Sequence, residues 1–237
     1  MTNLILGLPS KGRLQADTIR WFADRGVAID RDGTDREYSA VVRGTGGLEV
    51  AMLSAGEIPR ELASGRIHLG VTGEDLILER LPDHKLQVRR AQAMGFGHAD
   101  LIVAVPIFWT DAETMHDLDE IAHAFRQRHG HPLRVATKYH NLARAFFQRH
   151  GVADYRLVDS QGATEAGPKN LTAEAIVDIT SSGETLRANH LKPLKDGLIL
   201  QSQATLCVSR TAAWSDQTKS HLAALGALLQ IATLTEI

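Results

Sequence analysis

The residues best equipped for chemistry run from Ala175 to Asn189. An apolar run ends in Asp178, the stretch Thr180-Ser181-Ser182-Gly183-Glu184-Thr185 follows, and Leu186-Arg187-Ala188-Asn189 comes next. A short apolar run bounded by turn residues predicts a buried strand. Thr180, Ser181, Ser182 and Thr185 offer hydroxyls, and Gly183 lets the backbone bend close to a ligand. A helix beginning near Leu186 would point its free N–H groups back into the loop. Oriented amides, hydroxyl donors and a helix N-terminus together make a phosphate site. A carboxylate repels phosphate, so Asp178 suits the hydroxyls of a sugar that carries the phosphate. The combination reads as a site for a sugar phosphate, with ribose 5-phosphate the first candidate. The same residues also fit an ordinary strand–turn–helix junction whose Ser and Thr side chains cap the helix.

Such a loop needs strands and helices to hold it. Strands are expected at Leu4–Leu8, Tyr38–Arg43, Leu48–Leu53, Ile67–Val71, Leu101–Val105, Leu133–Ala136, Tyr155–Val158 and Leu198–Val208. Helical patterns occupy Leu14–Arg25, Ile58–Ser64, Leu118–His129, Leu142–His150 and Ser215–Ile231. Helices alternate with strands almost throughout, which predicts α/β architecture with mainly parallel sheets. Ligands in such sheets sit on loops at the carboxyl ends of strands. Three loops hold that position: Pro9–Arg13, Thr72–Asp75 and Thr180–Thr185. The middle of the chain could form its own α/β unit, giving lobes 1–94 plus 180–237 and 95–179 with a cleft between them. Gly95-Phe96-Gly97-His98 then reads as a hinge.

Composition narrows the function classes. The 237 residues are 43% hydrophobic and 23% charged, an ordinary globular balance. A net charge of −2 supplies no basic field for nucleic acid. Cys207 is the single cysteine, so an internal disulfide is impossible and a reducing compartment fits. No apolar run reaches the roughly 18 residues of a membrane helix, and the N-terminus does not read as a signal peptide. A cytoplasmic protein is expected.

Four segments, in order, resemble one family. Pro9-Ser10-Lys11-Gly12-Arg13-Leu14 is similar to its N-terminal Lys-Gly-Arg loop. Leu69-Gly70-Val71-Thr72-Gly73-Glu74-Asp75 resembles its Gly-(Ile/Val)-Thr-Gly-x-Asp segment. Arg134-Val135-Ala136-Thr137-Lys138-Tyr139 resembles its Ala-Thr-Lys-Tyr segment, and Ile176 to Asn189 its phosphoribosyl-binding signature. The family is ATP phosphoribosyltransferase, the catalytic subunit that opens histidine biosynthesis. Two departures stand out: Leu53-Ser54-Ala55-Gly56-Glu57-Ile58-Pro59 replaces an Arg-x-x-Asp-Ile-Pro segment, and Asn170-Leu171-Thr172 lacks the usual glycine.

The resemblance implies a two-lobed fold like the type II periplasmic binding proteins. It implies transfer of phosphoribosyl from phosphoribosyl pyrophosphate to N1 of ATP adenine, with Mg²⁺ riding on the pyrophosphate. The chain resembles the family's short form, without a C-terminal regulatory domain. That form implies a regulatory subunit similar to histidyl-tRNA synthetase and a homodimer within a hetero-oligomer. Asp178, Thr180, Ser181, Ser182, Gly183, Glu184 and Thr185 would bind the phosphoribosyl group, with Gly73, Asp75 and Glu165 also lining the substrates. Lys11, Arg13 and Arg36 would supply cations to the pyrophosphate or triphosphate, because a guanidinium matches phosphate oxygens in a fork. The competing expectation is a non-catalytic solute-binding or regulatory subunit on the same fold.

Overall fold

Leu4, Leu6 and Leu8 alternate along one face of the first strand, and all three are buried. The computed structural model describes residues 3–31, 39–43, 46–160 and 162–237. Its contacts divide the chain into two units, one running to Gly97 and resuming over Gln203–Ile237, the other His98–Ser202. The expected junctions lay at 94/95 and 179/180. The second falls later because the segment after Thr180 pairs back onto the second unit.

The first unit begins with β1 (Leu4–Pro9), α1 (Gly12–Ala23), β2 (Ala28–Arg31), β3 (Ser39–Arg43) and β4 (Leu48–Leu53). It continues with α2 (Ile58–Ala63), β5 (Leu69–Gly73), α3 (Glu74–Arg80), α4 (His84–Gln87) and β6 (Val88–Ala93). The second unit holds β7 (Ala99–Pro106), α5 (Met115–His129), β8 (Leu133–Thr137), α6 (His140–Arg149) and β9 (Tyr155–Asp159). After a 3₁₀ turn at Thr164–Ala166 it adds β10 (Ala175–Thr180), α7 (Glu184–Ala188) and β11 (Leu191–Ser202). The chain then returns to the first unit as β12 (Ala204–Ser209) and α8 (Asp216–Leu229), and a 3₁₀ turn follows at Ala232–Thr235.

Both sheets are mixed rather than mainly parallel. The first has the order β2-β3-β4-β1-β5-β12-β6, with β1 parallel to both β4 and β5 and the outer pairs antiparallel. The second has the order β11-β7-β10-β8-β9; β8 runs parallel to β9 and β10, and β7 antiparallel to β10 and β11. The expected strand Leu198–Val208 is two strands in two sheets, broken at Gln203.

Three strands, β2, β6 and β11, escaped the apolar pattern, and all three lie at sheet edges. β6 reads Val-Arg-Arg-Ala-Gln-Ala, and β11 carries Pro193. Edge strands tolerate both charge and proline, since one side of the backbone is unpaired. Helix α5 starts three residues before the expected Leu118. Thr114 caps it, accepting from the Asp117 amide at 3.2 Å, while the Asp117 carboxylate accepts from the Thr114 amide at 2.8 Å.

Each unit has its own core. In the first, the β1 leucines pack with Trp21 and Phe22 of α1 and with Leu222, Leu225 and Leu229 of α8. On another side Ile58 and Leu62 of α2 join Ile67 and Ile77. A Cβ at Gly70 would lie 2.7 Å from Ile58 Cγ2, so glycine there lets α2 settle onto β5. In the second unit Ile102, Ala104 and Ile176 of the sheet pack against Leu186 of α7. Among the described residues no helix is long and apolar enough to cross a membrane.

Candidate functional site

The parallel register of the second sheet sets the site. Val177 pairs with Thr137, and Thr137 with Asp159, so the carboxyl ends of β8, β9 and β10 share one edge. Asp178 lies at that edge on β10. It is half-buried, and its Oδ1 accepts from the Ile179 amide at 2.9 Å. Burial pushes the Asp178 carboxyl above the ordinary carboxylate range. The Ile179 amide opposes this, Glu165 adds to it by repulsion, and Lys138 and the Thr164 hydroxyl pull it back.

The turn after β10 is built by its own side chains. Thr180 Oγ1 accepts from the Gly183 amide at 3.0 Å, and Ser181 Oγ donates to the His98 carbonyl at 3.0 Å. Gly183 caps α7 with φ +71°, in the left-handed region that glycine enters at low cost. The Arg187 amide closes the first helical turn onto the Gly183 carbonyl at 3.0 Å. The amides of Thr185 and Leu186 precede Arg187, the first intrahelical donor, and so have no acceptor within the helix. Ser181, Ser182, Glu184 and Thr185 are exposed. Helix α7 has only five residues, so the donors that matter are individual amides and hydroxyls rather than a long helix dipole.

Neighbouring strands add groups that local sequence pattern does not single out. Ser160 and Thr164 share a hydroxyl–hydroxyl bond of 2.8 Å, and Lys138 Nζ donates to the Gly162 carbonyl at 3.0 Å. Beside them is a polar cavity of about 360 Å³ lined by Ser160, Thr164, Asn170 and Thr172 among others. Glu165 sits half-buried in the 3₁₀ turn. Lys138 belongs to the Ala-Thr-Lys-Tyr segment of the sequence, which gives it no role by itself, and Thr164 carries no local signal.

In the first unit, β1 is parallel to β4 on one side and β5 on the other, with Pro9 opposite Leu53 and Gly7 opposite Gly70. Ligand loops gather where neighbouring connections diverge in this way. The loops after β1 and β5 thus share an edge, which carries Lys11, Arg13, Gly73 and Asp75. Lys11 and Arg13 are exposed at the start of α1, and neither has an ion-pair partner among the described residues. Gly73 caps α3 in extended geometry, and Asp75 is buried. Thr72 Oγ1 donates to the Ala55 carbonyl at 2.8 Å, tying the loop after β5 to the one after β4. Arg36 lies outside the described residues. Among the described residues, no three His, Cys, Asp or Glu side chains form a metal site.

Residues 54–230 match the family model of ATP phosphoribosyltransferase. The chain is 61% identical over 226 residues to the ATP phosphoribosyltransferase of Cereibacter sphaeroides, covering 95% of each sequence. It is 51% identical to the enzymes of that name from Bradyrhizobium diazoefficiens and Caulobacter vibrioides, and it spans 66% and 71% of their lengths. Among solved structures it superposes on the Thermotoga maritima ATP phosphoribosyl transferase (HisG:HisZ) complex with a TM-score of 0.72 at 21% identity, covering 98% of both chains. An ancestral arginine-binding protein matches with a TM-score of 0.53 at 13% identity, covering 96% of that protein, so the fold is also that of solute-binding proteins.

Proposed function

This chain belongs to the ATP phosphoribosyltransferase family, and we propose that it catalyses the transfer that the family's name describes. The lone pair on N1 of the ATP adenine forms a bond to C1 of phosphoribosyl pyrophosphate. The C1–oxygen bond breaks, and its electron pair leaves with pyrophosphate. The product starts the route to histidine. The observation that carries this reading is the turn after β10: hydroxyls and helix-start amides around Gly183, with Asp178 at the strand end. Hydroxyls and amides suit the 5-phosphate, and an electron-rich carboxylate suits the ribose hydroxyls.

Charge develops at two places in such a transfer, and each has a counter-charge in this reading. Positive charge at the ribose carbon is stabilised by the carboxylates near the turn, Asp178 and Glu165. Negative charge on the departing oxygen calls for cations, for which Lys11, Arg13 and Arg36 are the candidates from the sequence. Catalysis here is positioning and electrostatics, with no covalent intermediate on the protein. The donors by the turn are hard oxygen atoms, which fits Mg²⁺ held mainly by substrate oxygens and water. The solute-binding alternative rests on fold alone, and one fold hosts many functions.

The superposition on a chain of a HisG:HisZ complex supports a regulatory partner of that type, and a cytoplasmic setting accords with histidine synthesis. On this reading histidine inhibits only through that partner. The test is pyrophosphate release: it should require ATP, phosphoribosyl pyrophosphate and Mg²⁺ together. Release from phosphoribosyl pyrophosphate alone, at an equal rate, would make the chain a hydrolase and overturn the reading.

A further inference from the structure

Two carboxylates, Asp178 and Glu165, stand near each other at the carboxyl edge of the second sheet, and one lysine lies beside them. Thr137 pairs with Val177 in parallel register, so Lys138 and Asp178 each follow a member of the same matched pair on adjacent chains. Lys138 Nζ donates to the Gly162 carbonyl at 3.0 Å, which anchors the ammonium next to the segment that carries Thr164 and Glu165. The lysine side chain is exposed, yet its charge is held to one side of the sheet edge by that bond.

The surroundings of Asp178 favour its proton. Burial and the Glu165 carboxylate raise its affinity for one, while the Ile179 amide, Lys138 and the Thr164 hydroxyl lower it. The other elements around it bring more acid than base. Strand β7 sets Ile102 opposite Asp178, with Asp100 opposite Thr180 two residues on. Strand β9 ends in Asp159, which His140 Nε2 meets at 3.3 Å. Helix α7 carries Glu184 and Arg187, both exposed, and Lys169 beyond the 3₁₀ turn is exposed as well. A bound sugar phosphate adds negative charge at this edge, so the acid is pressed to take up a proton when its own charge is needed.

We propose that Lys138 is a positioning residue for the transfer: its ammonium, anchored on the Gly162 carbonyl, keeps Asp178 an ionised carboxylate while the ribose hydroxyls dock and positive charge builds at C1. This rests on the reading of Asp178 as the ribose carboxylate and names the group that keeps it charged. The test has two arms. In the ligand-free chain labelled with carbon-13 aspartate, the Asp178 carboxyl signal, assigned by its loss in Asp178→Asn, is titrated by NMR. Lys138→Met is expected to move that titration to higher pH, and Lys138→Arg to leave it near wild type. In the second arm, the acid limb of kcat/KM for phosphoribosyl pyrophosphate should move the same way in Lys138→Met and return in Lys138→Arg. Because Lys138 is exposed, both variants should keep the wild-type melt. An Asp178 titration unmoved by Lys138→Met would overturn the proposal, whatever the activity. So would a loss of kcat/KM that is equal at every pH, which is the signature of a lysine that binds the phosphates directly. A moved titration in a chain that transfers no phosphoribosyl group would uphold the link between the two charges and sink the reaction reading instead.

Discussion

Replacing Thr185 by Val isolates one bond to the phosphate. The side chain is exposed, and its hydroxyl is not part of the turn's own hydrogen bonding. The Thr185 carbonyl accepts from Asn189 N at 3.2 Å and Nδ2 at 2.9 Å, and valine keeps both bonds. The two residues are close in shape and helix propensity, so folding stability is expected to change by less than about 0.5 kcal/mol. A hydroxyl bonded to a phosphate oxygen is a bond to a charged group, worth about 1.5–3 kcal/mol when lost. At about 1.4 kcal/mol per tenfold, phosphoribosyl pyrophosphate should bind about 10- to 150-fold more weakly. Calorimetric titration with Mg²⁺ present measures this, and a thermal melt of the free protein checks the fold. Thr180→Val is the contrast: Thr180 holds the Gly183 amide, so it should lose about 1 kcal/mol of stability as well as binding. An unchanged dissociation constant for Thr185→Val, with an unchanged melt, would refute the phosphate turn.

Gly183→Ala should cost about 1–2 kcal/mol in a urea titration, because φ is +71° and the nearest atom to the new Cβ is the movable end of Arg187; no change would mean the turn relaxes freely. Asp178→Asn should raise the stability of the ligand-free protein at neutral pH while weakening phosphoribosyl pyrophosphate binding. The folded state holds the Asp178 proton more tightly than the unfolded chain does. The stability it contributes is therefore present below the ordinary carboxylate range and lost as pH rises through the raised value. Urea midpoints at pH 4 and pH 7 test the sign, and a variant less stable at pH 7 would contradict it. Glu174 has the opposite sign. Burial pushes its carboxyl up, but the Arg134 side chain and amide outweigh burial and hold it low, so its contribution is lost as pH falls through that lowered value. Glu174→Gln should therefore flatten the acid limb of the stability profile. Arg13→Ala should leave the melt unchanged and lower kcat more than it raises KM; wild-type turnover with chemistry rate-limiting would remove Arg13 from the site.

Local chemistry makes the strand–turn–helix after Ala175 legible: a strand, an acid, hydroxyls and a glycine in sequence order. The left-handed Gly183 and the Thr180 bond to it have that origin. The nearness of groups from neighbouring elements to Asp178 is not legible in the sequence, even where, as with Lys138, the residue lies in a recognisable segment. Lys138 and Thr164 reach the environment of Asp178 through the β8–β10 and β8–β9 registers, which periodicity along one strand does not encode. The lobe boundary moved for a related reason. Proline and lysines in Leu191–Ser202 disguise an edge strand, so its pairing with β7 was hidden, and 180–202 was assigned to the first lobe. The apolar runs at Leu4–Leu8 and Ile67–Val71 correspond to β1 and β5, whereas the antiparallel β12 between β5 and β6 depends on a chain return that no local signal announces.

The most direct test follows C1 of the ribose. Phosphoribosyl pyrophosphate labelled with carbon-13 at C1 would be incubated with ATP, Mg²⁺ and the protein, alone and with a HisZ-type subunit, and observed by NMR. The account predicts that the C1 signal moves to an N1-linked adenine glycoside with matching release of pyrophosphate, and that Asp178→Asn suppresses both. A C1 signal that stays on phosphoribosyl pyrophosphate, or moves to free ribose 5-phosphate, in both mixtures would contradict it.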